Sequence, residues 1–202
     1  MGERTHDTTS RAFFESVYES NADPWSFATD AYELARYREI VGLIGDRSYQ
    51  RAFEPGCSVG VLTEMLAPSC GHLLATDLSE AAARRARRRC AHLPQVEVHQ
   101  GRLPDLMPAA AVDLVVLSEI GYYFSPAGLA AVLARLRDRM ADGGVLVAAH
   151  WTGVSDDHVI SGDEVHDLLD GTPGLRREEA ERRRGYLIGR YERRGPSPSV
   201  AL

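Results

Sequence analysis

The feature that most limits how this chain can fold is an alternation of two kinds of segment, beginning at residue 51. Short apolar runs, "RAFE", "LLATD", "VEVHQ", "VDLVVLSE" and "VLVAAHW", read as strands. Between them, at about 60–67, 79–92 and 126–141, apolar residues recur at helical spacing. Strands that alternate with helices imply a parallel sheet covered on both faces. The helix starts carry matching chemistry. Ser79 caps "EAAARRARRRC" with Glu80 in its first turn, Ser125 precedes Pro126, and Ser161 with Glu164 forms a capping box. After "VHDLLD", the runs "LRREEAE" and "RGYLIGRYE" meet at Gly185 and predict an antiparallel hairpin on the sheet edge. Upstream, "SRAFFESVYES" and "DAYELARYREIVGLIG" read as helices, the second with Leu34, Tyr37, Val41 and Ile44 on one face. The turn-rich "NADPWSFAT" between them presents Trp25 and Phe27. The expectation is one α/β domain of the doubly wound kind. Residues 1–45 form a helical lid, 46–194 the core, and 195–202 ("GPSPSVAL") a disordered tail.

Composition narrows the function classes. The chain has 202 residues, 44% apolar and 26% charged, and a formal charge of −6. An acidic balance argues against nucleic acid as a partner. All its basic residues are Arg, and "RRARRRC" reads as the solvated face of a helix. Cys57, Cys70 and Cys90 form no CxxC pair, so neither a disulfide framework nor a metal site is indicated. The acid- and His-rich "SGDEVHDLL" is accounted for by a capped amphipathic helix with Val165, Leu168 and Leu169 inward. No apolar run approaches the ~20 residues of a membrane span. The opening "MGERTHDTTS" lacks a signal-peptide core, so a cytoplasmic protein is expected.

Ligands of doubly wound sheets bind outside the carboxyl ends of the strands. Here those ends are polar. The first finishes in Glu54 and the loop Gly56-Cys57-Ser58-Val59-Gly60, the second in Asp77, the fourth in Ser118-Glu119, the fifth in His150-Trp151. Asp77 follows Gly56 at about the 20-residue spacing from which an acid accepts ribose hydroxyls, so the ligand contains a nucleoside. A dinucleotide would want a second glycine where Ser58 stands, and Glu54 would repel its phosphates. A nucleoside carrying a positive centre instead describes S-adenosylmethionine. A nicotinamide-dependent reductase is disfavoured on the same grounds.

The motif "EPGCSVG" (54–60) resembles the acid-x-Gly-x-Gly-x-Gly of class I S-adenosylmethionine-dependent methyltransferases, with Ser58 in place of the middle glycine. Together, "DPWSFATDAYELARY", "FEPGCSVG", "LLATDLSEAA", "VVLSEIGYYF" and "AAHWTG…DDHVISGDEVHDLL" resemble the nodulation protein S branch, which N-methylates the amino sugar of chitooligosaccharides. The resemblance spans roughly residues 13–190 and implies a Rossmann-like methyltransferase fold. It implies that Gly56, Cys57, Ser58 and Gly60 hold the methionine part beside Glu54 and Ser118. Asp77 would hold the ribose, and Leu78 and Leu103 would sandwich the adenine. Many members bind the adenine amino group with an Asp; Arg102 stands there in this chain. Arg36 would pair with the methionine carboxylate while Trp25 and Tyr32 close over the cofactor. The plainer alternatives are that Arg36 is a surface partner of Glu33, Trp25 covers the sheet edge, and Cys57 is a small packed residue.

Methyl transfer from a sulfonium needs alignment and exclusion of water, and an amine acceptor must also lose a proton. His150 and Glu119, at adjacent strand ends, are the expected base and acceptor anchor. The alternative for His150 is a hydrogen bond to a loop backbone. Tyr122, Tyr123 and Trp151 are the expected walls of the acceptor pocket. The function expected is N-methylation of an amino sugar or similar polar small molecule by a monomer or homodimer. An O-methyltransferase and a catalytically silent S-adenosylmethionine-binding module are the alternatives.

Overall fold

The structure, a computed structural model, describes residues 10–195, so seven residues of the expected tail lie outside it. Helices α1 (Arg11–Ser20) and α2 (Ala31–Ile44) precede a seven-stranded sheet. Strands β1 (Ala52–Pro55), β2 (Leu73–Asp77), β3 (Val96–Gln100), β4 (Val112–Ser118) and β5 (Met140–Trp151) run parallel. Helices α3 (Val61–Leu66), α4 (Glu80–Arg89) and α5 (Pro126–Arg139) connect them, and α6 (Gly162–Asp170) leads into the hairpin β6 (Leu175–Arg183) and β7 (Tyr186–Arg193). The order β3-β2-β1-β4-β5-β7-β6 is a Rossmann-like methyltransferase sheet whose last two strands are antiparallel.

Period-two alternation splits the core into two layers. Val145, Val147 and Ala149 of β5 face Ile40, Ile44 and Leu62 on one side of the sheet. Leu146 and Ala148 face Leu129, Leu133, Val165 and Leu169 of α5 and α6 on the other. The caps form as the sequence predicts: Ser79 accepts from Ala82 N–H, Ser125 from Gly128 N–H, and Ser161 and Glu164 complete the capping box. On α4 the alanines 81, 82, 83 and 86 are buried, while Arg84, Arg87 and Arg88 face solvent.

β5 starts earlier than the run "VLVAAHW" suggests. Val112 pairs with Met140, then the register jumps to Leu114 against Val145. Gly143, at φ +71°, absorbs the extra residues in a bulge. A Gly-Gly pair reads as a turn in one dimension, which hides the strand. At the other edge, β6 carries alternating charges, "LRREEAERR", and is exposed along most of its length.

Candidate active site

A cavity of about 670 Å³ opens over the carboxyl ends of β1, β2 and β4, where the strand order reverses. This is the switch point at which doubly wound sheets bind ligands. α1, α2 and the segment between them roof it with Phe14, Tyr18, Trp25, Tyr32, Glu33 and Arg36.

The floor is the glycine loop. Gly56 and Gly60 have φ of +79° and +81°, and Ser58 adopts +51°, the left-handed region that disfavours side chains. A Cβ on Gly56 would stand 2.3 Å from Ile120 Cγ2, and one on Gly60 2.8 Å from Ala86 Cα, so both glycines are sterically required. Ser58 is held from two sides. Its N–H donates to Asp77 Oδ2 at 2.9 Å, and its hydroxyl oxygen accepts from Tyr18 OH at 2.6 Å. Asp77 Oδ1 accepts from Ser79 N–H at 2.9 Å. Burial raises the Asp77 carboxyl to about 6, against the pull of these amides. Each carboxylate oxygen keeps a second lone pair for a ligand hydroxyl.

Three buried polar atoms here have no hydrogen-bond partner: Glu54 Oε2, the neighbouring Thr63 hydroxyl and Ser118 Oγ. Burial pushes the Glu54 carboxyl up to about 8. An orphaned, buried carboxylate oxygen is costly unless something cationic meets it. Leu78 and Leu103 line the cavity beside Asp77, whereas Arg102 is an exposed residue at the mouth, its Nε 2.9 Å from Asp105 Oδ2. Cys57 is buried, and burial lifts its thiol well above the ordinary range. It packs with Ala75, Ala83, Ala86 and Val98.

Arg36 is no surface residue. Its side chain is 1% exposed, paired with Glu33 and 3.5 Å from Glu119 Oε2, with its Nε unpartnered. Trp25 stacks on Phe27 and meets Tyr18 edge-on; Tyr32 stays partly exposed at the rim.

The other end of the cavity is aromatic and acidic. Glu119 sits at φ +59°, accepting from Trp151 N–H and Tyr122 OH, each at 2.8 Å. Burial raises its carboxyl, partly offset by Arg36. Tyr122, Tyr123 and Trp151 line the wall, with Phe14 edge-on to Tyr123.

His150 is the correction. It is fully buried and does not line the cavity. Its parity on β5 is that of Leu146 and Ala148, so it points beneath α6. There its Nε2 accepts from Gly121 N–H at 3.1 Å and its Nδ1 meets His166 Nε2 at 3.4 Å. Burial holds its pKa well below the ordinary value. It props the Gly121–Tyr123 turn that carries Tyr122 and cannot reach an acceptor. Sequence reasoning took Glu33 only for a surface partner of Arg36 and missed Tyr18, Asp157 and His158, all at the cavity. Their roles come from non-local contacts with no local signature; "DDH" alone reads as a loop.

Sheet order, glycine loop and the acid closing β2 together define the S-adenosylmethionine-dependent methyltransferase fold. The chain belongs to the Nodulation protein S (NodS) family, whose model matches residues 14–149. It is 32% identical over 102 residues to nodulation protein S of Bradyrhizobium diazoefficiens, covering 50% of this chain and 49% of that protein. To that of Rhizobium tropici it is 33% identical over 132 residues, covering 62% and 53%. The chain thus spans about half the length of the curated relatives it matches. The crystal structure of N-methyltransferase NodS from Bradyrhizobium japonicum WM9, in complex with S-adenosyl-L-homocysteine, superimposes with a TM-score of 0.80 at 23% identity, covering 89% of this chain and 97% of that one. No helix among the described residues is long and apolar enough to cross a membrane.

Proposed function

We propose that this protein is an S-adenosylmethionine-dependent N-methyltransferase acting on the amino group of a polar small molecule, an amino sugar being the leading acceptor. The observation that carries this reading is the partnerless Glu54 oxygen beneath the glycine loop. Its carboxylate suits an ammonium and opposes a phosphate. The donor set fits the cofactor. Asp77 would accept the ribose hydroxyls, Leu78 and Leu103 would flank the adenine, and Glu54 with Ser118 would face the methionyl ammonium. Arg36, already shared by two acids, would lend its free Nε to the methionyl carboxylate. When bound, the sulfonium supplies an already activated methyl group. The chain's own residues align the acceptor, and the aromatic roof keeps water out.

The acceptor end supports an amine. Glu33, Glu119 and Asp157 outnumber the one buried cation, Arg36, and the rings of Tyr122, Tyr123 and Trp151 offer faces to an ammonium. The likeness to the N-methyltransferase NodS of Bradyrhizobium japonicum WM9 supports a nitrogen acceptor. Mass spectrometry of chitosan oligomers, with free amines, beside their fully N-acetylated counterparts tests the reading. Methyl gain confined to the free amines is expected. Equal gain by the acetylated oligomers would point to oxygen as the acceptor. Tight binding of S-adenosylhomocysteine with no transfer to any amine or hydroxyl would favour a silent binding module.

A further inference from the structure

One imidazole at the acceptor end has an unclaimed ring nitrogen. His158 stands on the loop between β5 and α6, its side chain 9% exposed, and lines the cavity. Its ring lies flat on Tyr122, centroids 3.6 Å apart, and edge-on to Tyr123 and Trp151. Val159 N–H donates to the Tyr122 carbonyl at 2.8 Å, which fixes the loop against the Gly121–Tyr123 turn. Nδ1 is buried without a partner. Nε2 lies 4.0 Å from Asp157 Oδ1, an oxygen that also accepts from the Ser155 hydroxyl. With the ring proton on Nε2, toward Asp157, the Nδ1 lone pair is unused. A buried acceptor left unpaired is unfavourable in the free protein, as expected of a group kept for a ligand.

The competing bases are engaged. His150 spends Nε2 on Gly121 N–H outside the cavity. Both Glu119 oxygens accept hydrogen bonds, and Glu33 is paired with Arg36. We propose that His158 Nδ1 takes the proton from the amine that is methylated, with Asp157 as its positioning residue; this rests on the amine-methyltransferase reading above. The ammonium gives one proton to Nδ1 and so frees its lone pair. That pair forms the N–CH₃ bond as the C–S bond breaks, and the C–S electrons remain on sulfur as a thioether. Charge balances: an ammonium and a sulfonium become a methylammonium and an imidazolium. Asp157, with Oδ1 4.0 Å from Nε2, stabilises that imidazolium by its charge. The other titratable groups against the ring are Tyr122, Tyr123 and, through Tyr122, Glu119, with His150 behind them. Burial lowers the imidazole pKa and Asp157 raises it.

The test uses His158→Ala and Asp157→Asn with chitosan oligomers as acceptor, S-adenosylhomocysteine affinity serving as the check that each variant folds. His158→Ala is expected to lower kcat about 10²–10⁴-fold, to keep cofactor affinity, and to regain activity with added imidazole. Asp157→Asn is expected to move the acid limb of the pH–rate profile to lower pH. A His158→Ala enzyme within threefold of wild type across the pH range overturns the proposal while leaving the amine reading intact. Wild type that binds S-adenosylhomocysteine yet methylates no amine sinks the amine reading instead. ¹⁵N spectra of the histidine rings then judge His158 alone: a neutral ring protonated at Nε2 supports it, and one protonated at Nδ1 overturns it.

Discussion

Glu54 makes the site a proton-linked one. Folded and free, its carboxyl keeps a proton up to about pH 8, whereas an unperturbed one releases it near 4.5. The folded state therefore holds the extra proton across that window, and folding stability falls as pH rises through it. A cation bound beside Glu54 would draw the proton off. Affinity for S-adenosylhomocysteine should then rise from pH 6 to 8, by at most about tenfold per unit for one linked proton. Calorimetry at pH 7 in buffers of differing ionisation heat should record proton release, and Glu54→Gln should abolish both effects. Asp77→Ala should weaken binding by about 1.5–3 kcal/mol, the usual value of hydrogen bonds to a charged group; unchanged affinity would remove Asp77 from the site. Arg36→Met should cost about 3–5 kcal/mol of stability, because Glu33 and Glu119 would lose their buried counter-charge. Glu33, raised to about 7, can take up a proton, so thermal melts should show a larger deficit at pH 8 than at pH 6. Glu54 and Asp77 were legible because a motif and a spacing mark them. Arg36 was named for the methionine carboxylate, but its burial between two acids was not legible, since Glu119 lies on a strand tip far along the chain.

At the scale of elements, α1 is docked by chemistry the sequence conceals. Its Glu15 accepts from Glu80 N–H at 2.7 Å and Ala81 N–H at 3.1 Å, so one helix supplies a carboxylate to the free amides at the start of another. Glu15→Ala should cost about 0.5–2 kcal/mol, the usual range for a lost helix cap, and should speed hydrogen exchange across 11–20. Bound S-adenosylhomocysteine should slow exchange across 21–37 if that segment covers the cofactor; identical exchange with and without ligand would reduce Trp25 to structural packing. Strands and helices with local caps were readable from one dimension. His150 was misplaced for an equally simple reason: the run "VLVAAHW" gives the strand's end, but only the identity of the opposing helix says which parity faces ligand. With α6 over the even residues, the imidazole faces inward and meets His166.

Across the whole molecule, roof and floor of the cavity come from opposite ends of the sheet's construction. The floor is built by β1, β2 and β4, the roof by helices that precede all strands. Neither layer alone encloses 670 Å³, so nothing local in the sequence announces the cavity. The exposed charges of β6 discourage another strand from pairing at that edge, which directs any self-association to other surfaces. The bond from Tyr18 to Ser58 joins roof and floor across 40 residues of sequence. Its consequence is one of time rather than affinity. With a glycine at position 58 the loop would relax more easily at positive φ, but the roof would lose its latch. If a bound nucleoside leaves by a lifting of the roof, this hydroxyl pair would slow its departure. Tyr18→Phe and Ser58→Gly should both hasten dissociation of S-adenosylhomocysteine in stopped-flow records and leave its association rate within about threefold, since differences among variants of one site fall mostly on the off-rate. An enzyme that releases its spent product through such a latch can turn over no faster than the latch opens.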